Sequence, residues 1–344
     1  MKKTKIVITG GAGFVGSQLG HQLHKQGHQV VLIDNMSFGH LDNLVVDNET
    51  FGQLVVQDIR STAKKNSVFN NLERHFEDVD TVFHLAGISA LPVCQTNPQE
   101  AFEINTAAVG NVLEISRRMG VRRVIFSSTS AVYENNTSDF LSEKEEVNPD
   151  LVYAQSKKFA ESICGAFSKN YGMDIIIARF FNLYGAHQDF KRQSPPFTSY
   201  LARELAADRA PKIYNMSDVK RDYVYVDDCL ALLQIMMNAP KKYKADIFNI
   251  GSGIGYSVPQ IYKLICEISG KKISPTEGKP ESFWDMYTDL YTGPHPLNSS
   301  RISKEVFKSA VANTQKTFEE FAWKATCPME RGLETVYQYA VERR

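Results

Sequence analysis

The chain has 344 residues and a mass of 38.7 kDa, which suits one large domain or two interleaved ones. Its 39 Lys and Arg residues balance its 39 Asp and Glu residues, so net charge gives no case for binding nucleic acid or an anionic membrane surface. With 43% hydrophobic and 23% charged residues, the composition is that of a globular protein and excludes disorder, collagen and coiled coil.

Cysteine spacing and apolar runs bear on where the protein works. The five cysteines are odd in number, widely spaced and form no C-x-x-C pair, so we expect no disulfide framework, no metal site and a reducing compartment. No apolar run approaches the roughly 20 residues that span a bilayer, and the N-terminal apolar stretch at 6–9 is too short for a signal peptide. We therefore expect a cytoplasmic protein with no membrane partner.

Short β-branched runs alternate with helical patterns in the first half of the chain. Strands separated by helices imply right-handed crossovers and a mostly parallel sheet covered on both faces, which is an α/β fold. The apolar run at 175–178 lacks alternation, as a strand buried on both faces should. The pattern predicts strands at 5–9, 29–33, 54–56, 81–85, 124–127 and 175–179, and helices at 13–26, 98–119 and 150–171.

The second half has a different character, because ten of the thirteen prolines follow Gly185 and divide it into shorter elements. We predict a first domain over 1–184 and a smaller C-terminal α/β domain over 185–344, interleaved with the first. No internal repeat, low-complexity tract or long linker separates them, so the two parts are expected to share a cleft.

The first predicted strand runs directly into a glycine-rich turn, Gly10-Gly11-Ala12-Gly13-Phe14-Val15-Gly16, followed by a helix. Glycines allow a tight turn, close approach of the backbone to a pyrophosphate and close helix packing. The helix N-terminus then offers free N–H groups and a partial positive charge to the phosphates. At the first strand-to-helix turn this pattern predicts a Rossmann-type, doubly wound, dinucleotide-binding sheet.

Asp34 closes the second predicted strand, 24 residues after Gly10. An acidic residue there accepts hydrogen bonds from the ribose hydroxyls and repels a 2′-phosphate. The stretch 35–39 contains no Lys or Arg that would bind such a phosphate. The sequence therefore favours NAD over NADP.

Tyr153 and Lys157 lie four residues apart on one face of the helix predicted at 150–171. A nearby ammonium stabilises phenolate, so we expect Lys157 to lower the Tyr153 pKa from about 10 and make this phenol a general base and acid. The pair alone is weak evidence, because Y-x-x-x-K often occurs by chance. The hydroxyl cluster Ser128-Thr129-Ser130 strengthens it, since it follows a strand at the carboxyl edge of the sheet, where ligands bind.

Over nearly its whole length the chain resembles the extended short-chain dehydrogenase/reductase superfamily, specifically its nucleotide-sugar epimerases and dehydratases. Seven motifs in the family's order carry the resemblance. They are T-G-G-A-G-F-V-G at 9–16 (family T-G-x-x-G-x-x-G), D-N at 34–35 with D-I at 58–59, H-L-A-G at 84–87 (H-L-A-A), I-N-T at 104–106, R-F-F-N-L-Y-G at 179–185 (R-Y-F-N-V-Y-G), R-D-Y-V-Y-V-D-D at 221–228 (R-D-F-V-Y-V-D-D) and F-N-I-G-S-G at 248–253 (N-x-G-x-G).

The resemblance implies a set of site residues and a homodimer packed through the two long helices. The catalytic residues implied are Thr129, Tyr153 and Lys157. The NAD-binding residues implied are Gly10, Gly13, Phe14, Val15, Gly16, Asp34, Asn35, Asp58, Ile59, Leu85, Ala86, Asn105, Ser127, Tyr153, Lys157 and Phe180. The residues implied to bind the nucleotide sugar are Ser89, Thr129, Ser130, Asn182 and Arg221, with Asn182 and Arg221 on its diphosphate.

Ala131 discriminates among the activities of this family. Dehydratases and decarboxylases typically carry a Glu in the equivalent S-T-D-E-V-Y segment, because they need one more acid or base. Alanine cannot transfer a proton, so we expect an isomerase, a 4-epimerase of a UDP-hexose. The alternatives are a 4,6-dehydratase or decarboxylase, a keto-sugar reductase, a 2-epimerase and a non-catalytic dinucleotide sensor.

The sugar stays open at this stage. The family's Y-G-P-R-Q is Tyr184-Gly185-Ala186-His187-Gln188 here, and the R-P-G-D segment with a second phosphate-binding Arg is not recognisable near 279–285. These segments lie where the sugar should be recognised. Glucose, N-acetylglucosamine and glucuronate nucleotides therefore all remain candidates.

Overall fold

A computed structural model describes residues 3–60, 69–188 and 192–343 of the chain. Its strands are β1 (Lys5–Thr9), β2 (Gln29–Asp34), β3 (Val45–Val46), β4 (Glu49–Thr50), β5 (Gln53–Val56), β6 (Val79–His84), β7 (Arg123–Thr129), β8 (Ile175–Phe180), β9 (Asn182–Tyr184), β10 (Lys212–Ile213), β11 (Lys220–Tyr225), β12 (Lys244–Ile250), β13 (Gly255–Ser257) and β14 (Thr276–Glu277).

The α-helices are α1 (Phe14–Lys25), α2 (Phe69–Phe76), α3 (Leu91–Thr96), α4 (Pro98–Phe102), α5 (Ala108–Arg118), α6 (Val152–Tyr171), α7 (Phe197–Ala206), α8 (Val226–Asn238), α9 (Val258–Ser269), α10 (Ser299–Val306), α11 (Gln315–Phe321) and α12 (Met329–Glu342). Short 3₁₀ turns are found at Leu41–Leu44, Ser130–Tyr133, Pro280–Ser282 and Thr288–Tyr291, and one π-helical turn at Glu103–Ala107. None of the helices in these described ranges has the length and apolar character that crossing a bilayer requires.

The main sheet has seven parallel strands in the order β12-β8-β7-β6-β1-β2-β5. Side chains alternate between its two faces. On β1, for example, Ile6 and Ile8 join one buried cluster with α1 and α8, whereas Val7 joins the other with α5 and α6. Burial on both faces explains the continuous apolar strands. The predicted Rossmann-type, doubly wound α/β fold is confirmed.

A second, smaller layer lies over the carboxyl end of this sheet. Strands β9, β11 and β13 form a mixed three-stranded sheet, and α7, α9 and α12 pack together around Leu205, Ile261 and Leu333. The chain does not separate cleanly at Gly185, because the later strand β12 pairs with β8 in the main sheet. The proposed boundary between residues 184 and 185 stays a prediction.

The six predicted strands and the helices at 13–26 and 150–171 agree with the structure to within about two residues at most ends. The helix predicted at 98–119 is wrong in one respect. It is divided into α4, the π-helical turn and α5, with Asn105 at the centre of the turn. A π-helical turn inside a helix frequently marks a functional position.

Candidate active site

The glycine-rich turn between β1 and α1 has the geometry that a dinucleotide requires. Gly10 has φ +71°, and a Cβ there would stand 2.8 Å from the Ala86 backbone nitrogen. A Cβ on Gly16 would collide with the Gly10 carbonyl. Helix α1 begins after Gly13 with no side-chain cap and no acidic residue in its first turn. Its N-terminal N–H groups are therefore free to bind a pyrophosphate.

The acidic residues predicted for the adenosine end are Asp34, the last residue of β2, and Asp58, two residues after β5. Asp34 accepts hydrogen bonds from the backbone N–H groups of Ala12 (3.0 Å) and Met36 (2.8 Å), so its carboxylate is fixed beside the glycine-rich turn. Asn35 donates to the Asp58 carboxylate at 3.0 Å. Arg60 forms an ion pair with the same carboxylate at 2.8 Å, so this nearby cation is already neutralised.

The floor of the site is built where β1, β6 and β7 end. The Thr9 hydroxyl lies 2.6 Å from His84 Nδ1, and Ser127 donates to the His84 carbonyl at 3.0 Å. Burial first, and then the charge of Lys157, lower the His84 pKa to about 3, so the imidazole is neutral. Sequence analysis quoted His84 only as part of a motif. Its hydrogen bond with the Thr9 hydroxyl joins the end of β6 to the end of β1.

Asn105 connects the loop after β6 to helix α6. Its side chain accepts from the Ile88 N–H (2.9 Å) and donates to the Ile88 carbonyl (2.9 Å) and to Ser156 (3.2 Å). The amide is fully buried, and these bonds use both of its ends. In the structure Asn105, at the centre of the π-helical turn, therefore fixes the loop that carries Ile88 against helix α6.

Tyr153 and Thr129 come together as predicted, from the start of α6 and the end of β7. Their side chains share a hydrogen bond, and Tyr153 is only 8% exposed. The prediction that Lys157 lowers the pKa of the Tyr153 phenol is wrong for the protein without its cofactor. Burial raises the pKa of Tyr153 to about 12, and the Thr129 hydrogen bond and the charge of Arg192 oppose this rise only in part. A further positive charge beside the phenol is needed before it can act as a base near neutral pH.

Lys157 lies one turn further along α6 and is 5% exposed. Its ammonium stands 4.6 Å from the centroid of the Phe126 ring and has no hydrogen bond to another described residue. Burial lowers its pKa to about 8, so it remains mostly protonated at neutral pH. A buried ammonium that lacks a hydrogen-bond partner among the described residues favours an added acceptor, which the ribose hydroxyls of a dinucleotide would supply.

A buried polar network supports the catalytic segment from below. Arg179 at the end of β8 forms an ion pair with Glu161 of α6 at 2.7 Å and donates to the Tyr133 hydroxyl at 2.8 Å. Ser128, next to Thr129, donates to the other side of the same carboxylate at 2.5 Å. Sequence analysis missed this network. Its only signal was a charged residue, Arg179, at the end of an apolar strand.

The residues predicted to bind substrate lie on several separate elements. Asn182 and Arg221 come together on the neighbouring strands β9 and β11, and Asn182 donates to the Asp222 carbonyl at 2.7 Å. Ser89 is exposed, and Ser130 is half-buried in the turn after Thr129. Sequence analysis missed Arg192, which acts electrostatically on Tyr153 and on Tyr287.

The segment 280–306, which the sequence left without a function, packs against the start of the catalytic helix. Trp284, Leu290 and Ile302 form a buried cluster with Leu151, the residue that precedes α6. Glu134 accepts from the N–H groups of Asp150 and Leu151, which places a carboxylate at the N-terminus of this helix. The segment therefore supports the start of α6 through Leu151, two residues before Tyr153.

This fold and this arrangement of glycines, hydroxyls and lysine define a dinucleotide-dependent enzyme of the short-chain dehydrogenase/reductase type. The family model of the NAD dependent epimerase/dehydratase family matches residues 6–251, and the chain belongs to that family. Its cofactor is NAD, which agrees with the open α1 N-terminus, the buried Asp34 and the Lys157 ammonium.

Relatives within this family act on UDP-sugars. The putative UDP-glucose 4-epimerase of Methanocaldococcus jannaschii is 27% identical over 83% of this chain and 90% of its own length. The UDP-glucuronic acid decarboxylase 1 of Danio rerio is also 27% identical, over 98% of this chain and 72% of its own length. The crystal structure of the Thermotoga maritima UDP-glucose 4-epimerase with UDP-glucose is similar with a TM-score of 0.83 at 27% identity, covering 98% of this chain and 99% of that one.

Proposed function

We propose that this protein is an NAD-dependent nucleotide-sugar 4-epimerase that inverts C4 of a UDP-hexose. The observation that carries the proposal is the group Thr129, Tyr153 and Lys157, buried beside the glycine-rich turn with no carboxylate at position 131. The relatives that are UDP-sugar 4-epimerases support the same substrate class. The family description alone would permit dehydration as well.

The residues divide the chemistry between them. Tyr153 takes the proton of the C4 hydroxyl and later returns it. Thr129 hydrogen-bonds to the phenol and orients the C4 hydroxyl toward it. Lys157 binds the ribose and contributes positive charge beside the phenol. NAD, when bound, supplies the acceptor and then the donor of the C4 hydride, so the net redox change is zero. Asn182 and Arg221 hold the diphosphate in place while the keto sugar rotates to present its other face.

Position 131 separates the 4-epimerase from the dehydratase and decarboxylase alternatives. Ala131 packs against the small apolar cluster around Tyr153, and the charged or ionisable neighbours that act on this phenol are Cys94 and Arg192. Burial raises the Cys94 pKa to about 12, so the thiol stays protonated. The structure therefore provides no second carboxylate beside Tyr153 among the described residues, which supports epimerisation.

Mass-resolved chromatography tests the proposal. The purified protein, with no added cofactor, is incubated with UDP-glucose, UDP-N-acetylglucosamine and UDP-glucuronate. We expect a new peak at unchanged mass, which also identifies the sugar. A product lighter by water or carbon dioxide would overturn the argument from Ala131. No turnover, together with retained NAD, would point first to a different nucleotide or sugar and only then to the dinucleotide-sensor alternative. A product inverted at C2 would favour the 2-epimerase.

A matched pair of variants tests the assigned base. Tyr153→Phe should retain bound NAD and lose at least about 10²-fold in turnover, the lower range for general acid–base catalysis. Tyr171→Phe changes an exposed phenol at the other end of the same helix and should leave turnover unchanged. Full activity of Tyr153→Phe would remove the central assignment.

We further propose that the enzyme works as a homodimer in the cytoplasm. Phe159 on α6 is 48% exposed, and its ring lies 6.1 Å from that of Phe102 on α4, so the two rings form an apolar surface on the predicted dimer face. Leu113 on α5, by contrast, is buried in the core. Light scattering of the wild type and of Phe159→Glu tests the dimer.

The proposed compartment rests on the cysteines. All five are free thiols, which suits a reducing compartment.

A further inference from the structure

A cluster of five charged side chains lies where β11 meets the end of α10. Its cations are Arg221, Arg301 and Lys308, and its carboxylates are Glu134 and Glu305. All five are at least three-quarters buried. Three cations and two carboxylates leave one positive charge without a partner. Because an uncompensated buried charge is costly, an anionic group that reached this cluster would be bound favourably.

Two of the cations are already paired within the protein. Arg301 forms an ion pair with Glu134 at 2.9 Å, which fixes α10 against the start of the catalytic helix. Arg221 donates to both the backbone carbonyl (2.5 Å) and the carboxylate (3.2 Å) of Glu305. The Arg221 guanidinium, which was assigned to the substrate diphosphate, is therefore covered by a carboxylate of the protein itself.

Lys308 is the cation that has no such partner. Its side chain is 9% exposed, and its ammonium makes no hydrogen bond to another described residue. Burial lowers its pKa to about 8, with Glu305 and Glu134 opposing that change and Arg221 and Arg301 adding to it. The amine is thus mostly charged at neutral pH, and its field acts together with that of Arg221.

The backbone brings Lys308 and Arg221 to the same place. Arg221 and Ala310 form an isolated parallel bridge, and the Asp222 N–H donates to the Ala310 carbonyl at 2.8 Å. Asn182 lies on β9, which pairs with β11 from Tyr223 onward, immediately after Arg221 and Asp222. Strand β11 therefore brings Arg221 close to both Asn182 and the segment that carries Glu305 and Lys308.

Building on the proposed function, we propose that Lys308 binds the substrate diphosphate together with Arg221, and that the Glu305 carboxylate occupies the diphosphate's place until substrate displaces it. A diphosphate offers more negative charge and more acceptor oxygens than one carboxylate, and charge-assisted hydrogen bonds to it are strong. Its arrival gives the unpaired ammonium a partner. No second arginine near 279–285 is then required.

Calorimetric titration of the NAD-containing protein with UDP, and separately with uridine, tests the inference. Lys308→Met should weaken UDP binding at least about tenfold, as expected for loss of a charged hydrogen bond, while Lys308→Arg stays within about threefold. Glu305→Gln keeps the shape, removes the competing charge and should tighten UDP binding about threefold or more. Binding of uridine, which lacks the diphosphate, should not change in any variant.

Matched controls and outcomes separate this inference from the proposed function. Lys220→Met removes the exposed cation next to Arg221, and Glu319→Gln removes an exposed carboxylate; both should leave UDP binding within about twofold. If Lys308→Met fails to fold, Glu305→Gln carries the test alone. Wild-type binding of UDP with no change in Lys308→Met or Glu305→Gln would overturn the inference and leave the proposed function intact. Failure of the wild type to bind UDP, dTDP or GDP would overturn the proposed function itself.

Discussion

The ion pair between Arg179 and Glu161 allows a quantitative test of how the catalytic segment is held. The two side chains are 3% and 8% exposed, and their charged atoms are 2.7 Å apart. Arg179→Met would leave the Glu161 carboxylate buried with only Ser128 as a partner. Breaking a buried pair in this way costs about 3–5 kcal/mol, because the remaining charge is uncompensated.

This free energy converts into a melting temperature. An unfolding entropy of about 2.1 cal/mol/K per residue gives about 0.7 kcal/mol/K for a chain of 344 residues, so we expect Arg179→Met to lower the Tm by about 4–7 °C. Scanning calorimetry of the wild type and the variant measures it. As a control, Arg117→Met breaks an exposed pair with Glu114 and should change the Tm by less than about 1 °C.

A double variant identifies the cause. If the uncompensated Glu161 charge is responsible, Arg179→Met with Glu161→Met should recover much of the lost stability, since apolar groups of similar volume can replace a buried ion pair. A melting temperature of Arg179→Met within about 1 °C of the wild type would refute the reasoning. A double variant no more stable than the single one would locate the effect in the bonds to Tyr133 and Ser128 instead.

Three further predictions concern the cofactor site. Gly16→Ala should abolish retention of NAD during purification, because the added Cβ collides with the Gly10 carbonyl; ultraviolet spectra of the extracted cofactor measure this. Asn105→Ala should cost about 1–3 kcal/mol in urea unfolding by leaving the Ile88 backbone groups unpaired. The folded pKa of Lys157 is lowered, so the unfolded chain keeps a proton that the folded protein loses between about pH 8 and 10.5, and stability rises across that window. Lys157→Met should reduce the rise in the urea midpoint between pH 7.5 and 9.5; an unchanged rise would contradict the lowered pKa.

The main sheet could be predicted because its strands are buried on both faces and leave continuous apolar runs in the sequence. The individual strands of the smaller layer could not be predicted, because strands such as β9 and β13 have only three residues and are defined by their partners. Strand β12 was missed for another reason. The start of the strand is irregular, with Ala245 at φ +59° and a register shift between Lys244 and Asp246. The sequence of this segment therefore lacks the regular pattern by which a strand is predicted.

The site shows the same division between local and tertiary information. The spacing of Tyr153 and Lys157 and the hydroxyl at Thr129 are local features, and the structure brings Tyr153 and Thr129 into hydrogen-bond contact as the sequence predicts. The direction of the Tyr153 pKa depends on how deeply distant segments bury the phenol, and it was predicted with the wrong sign. The pairing of Glu305 with Arg221 joins residues far apart in the chain, which spacing alone cannot indicate.

The late arrival of β12 has a consequence for how the chain is made. Strand β8 ends at residue 180, and its outer partner β12 begins only at residue 244. At a synthesis rate of about 5–20 residues per second, this delay lasts about 3–13 seconds. During that time the nascent protein presents an unpaired, apolar strand edge, the kind of surface on which chains aggregate. Fragments that stop between those two residues never lose this edge, so they are the products expected to aggregate or to need a chaperone.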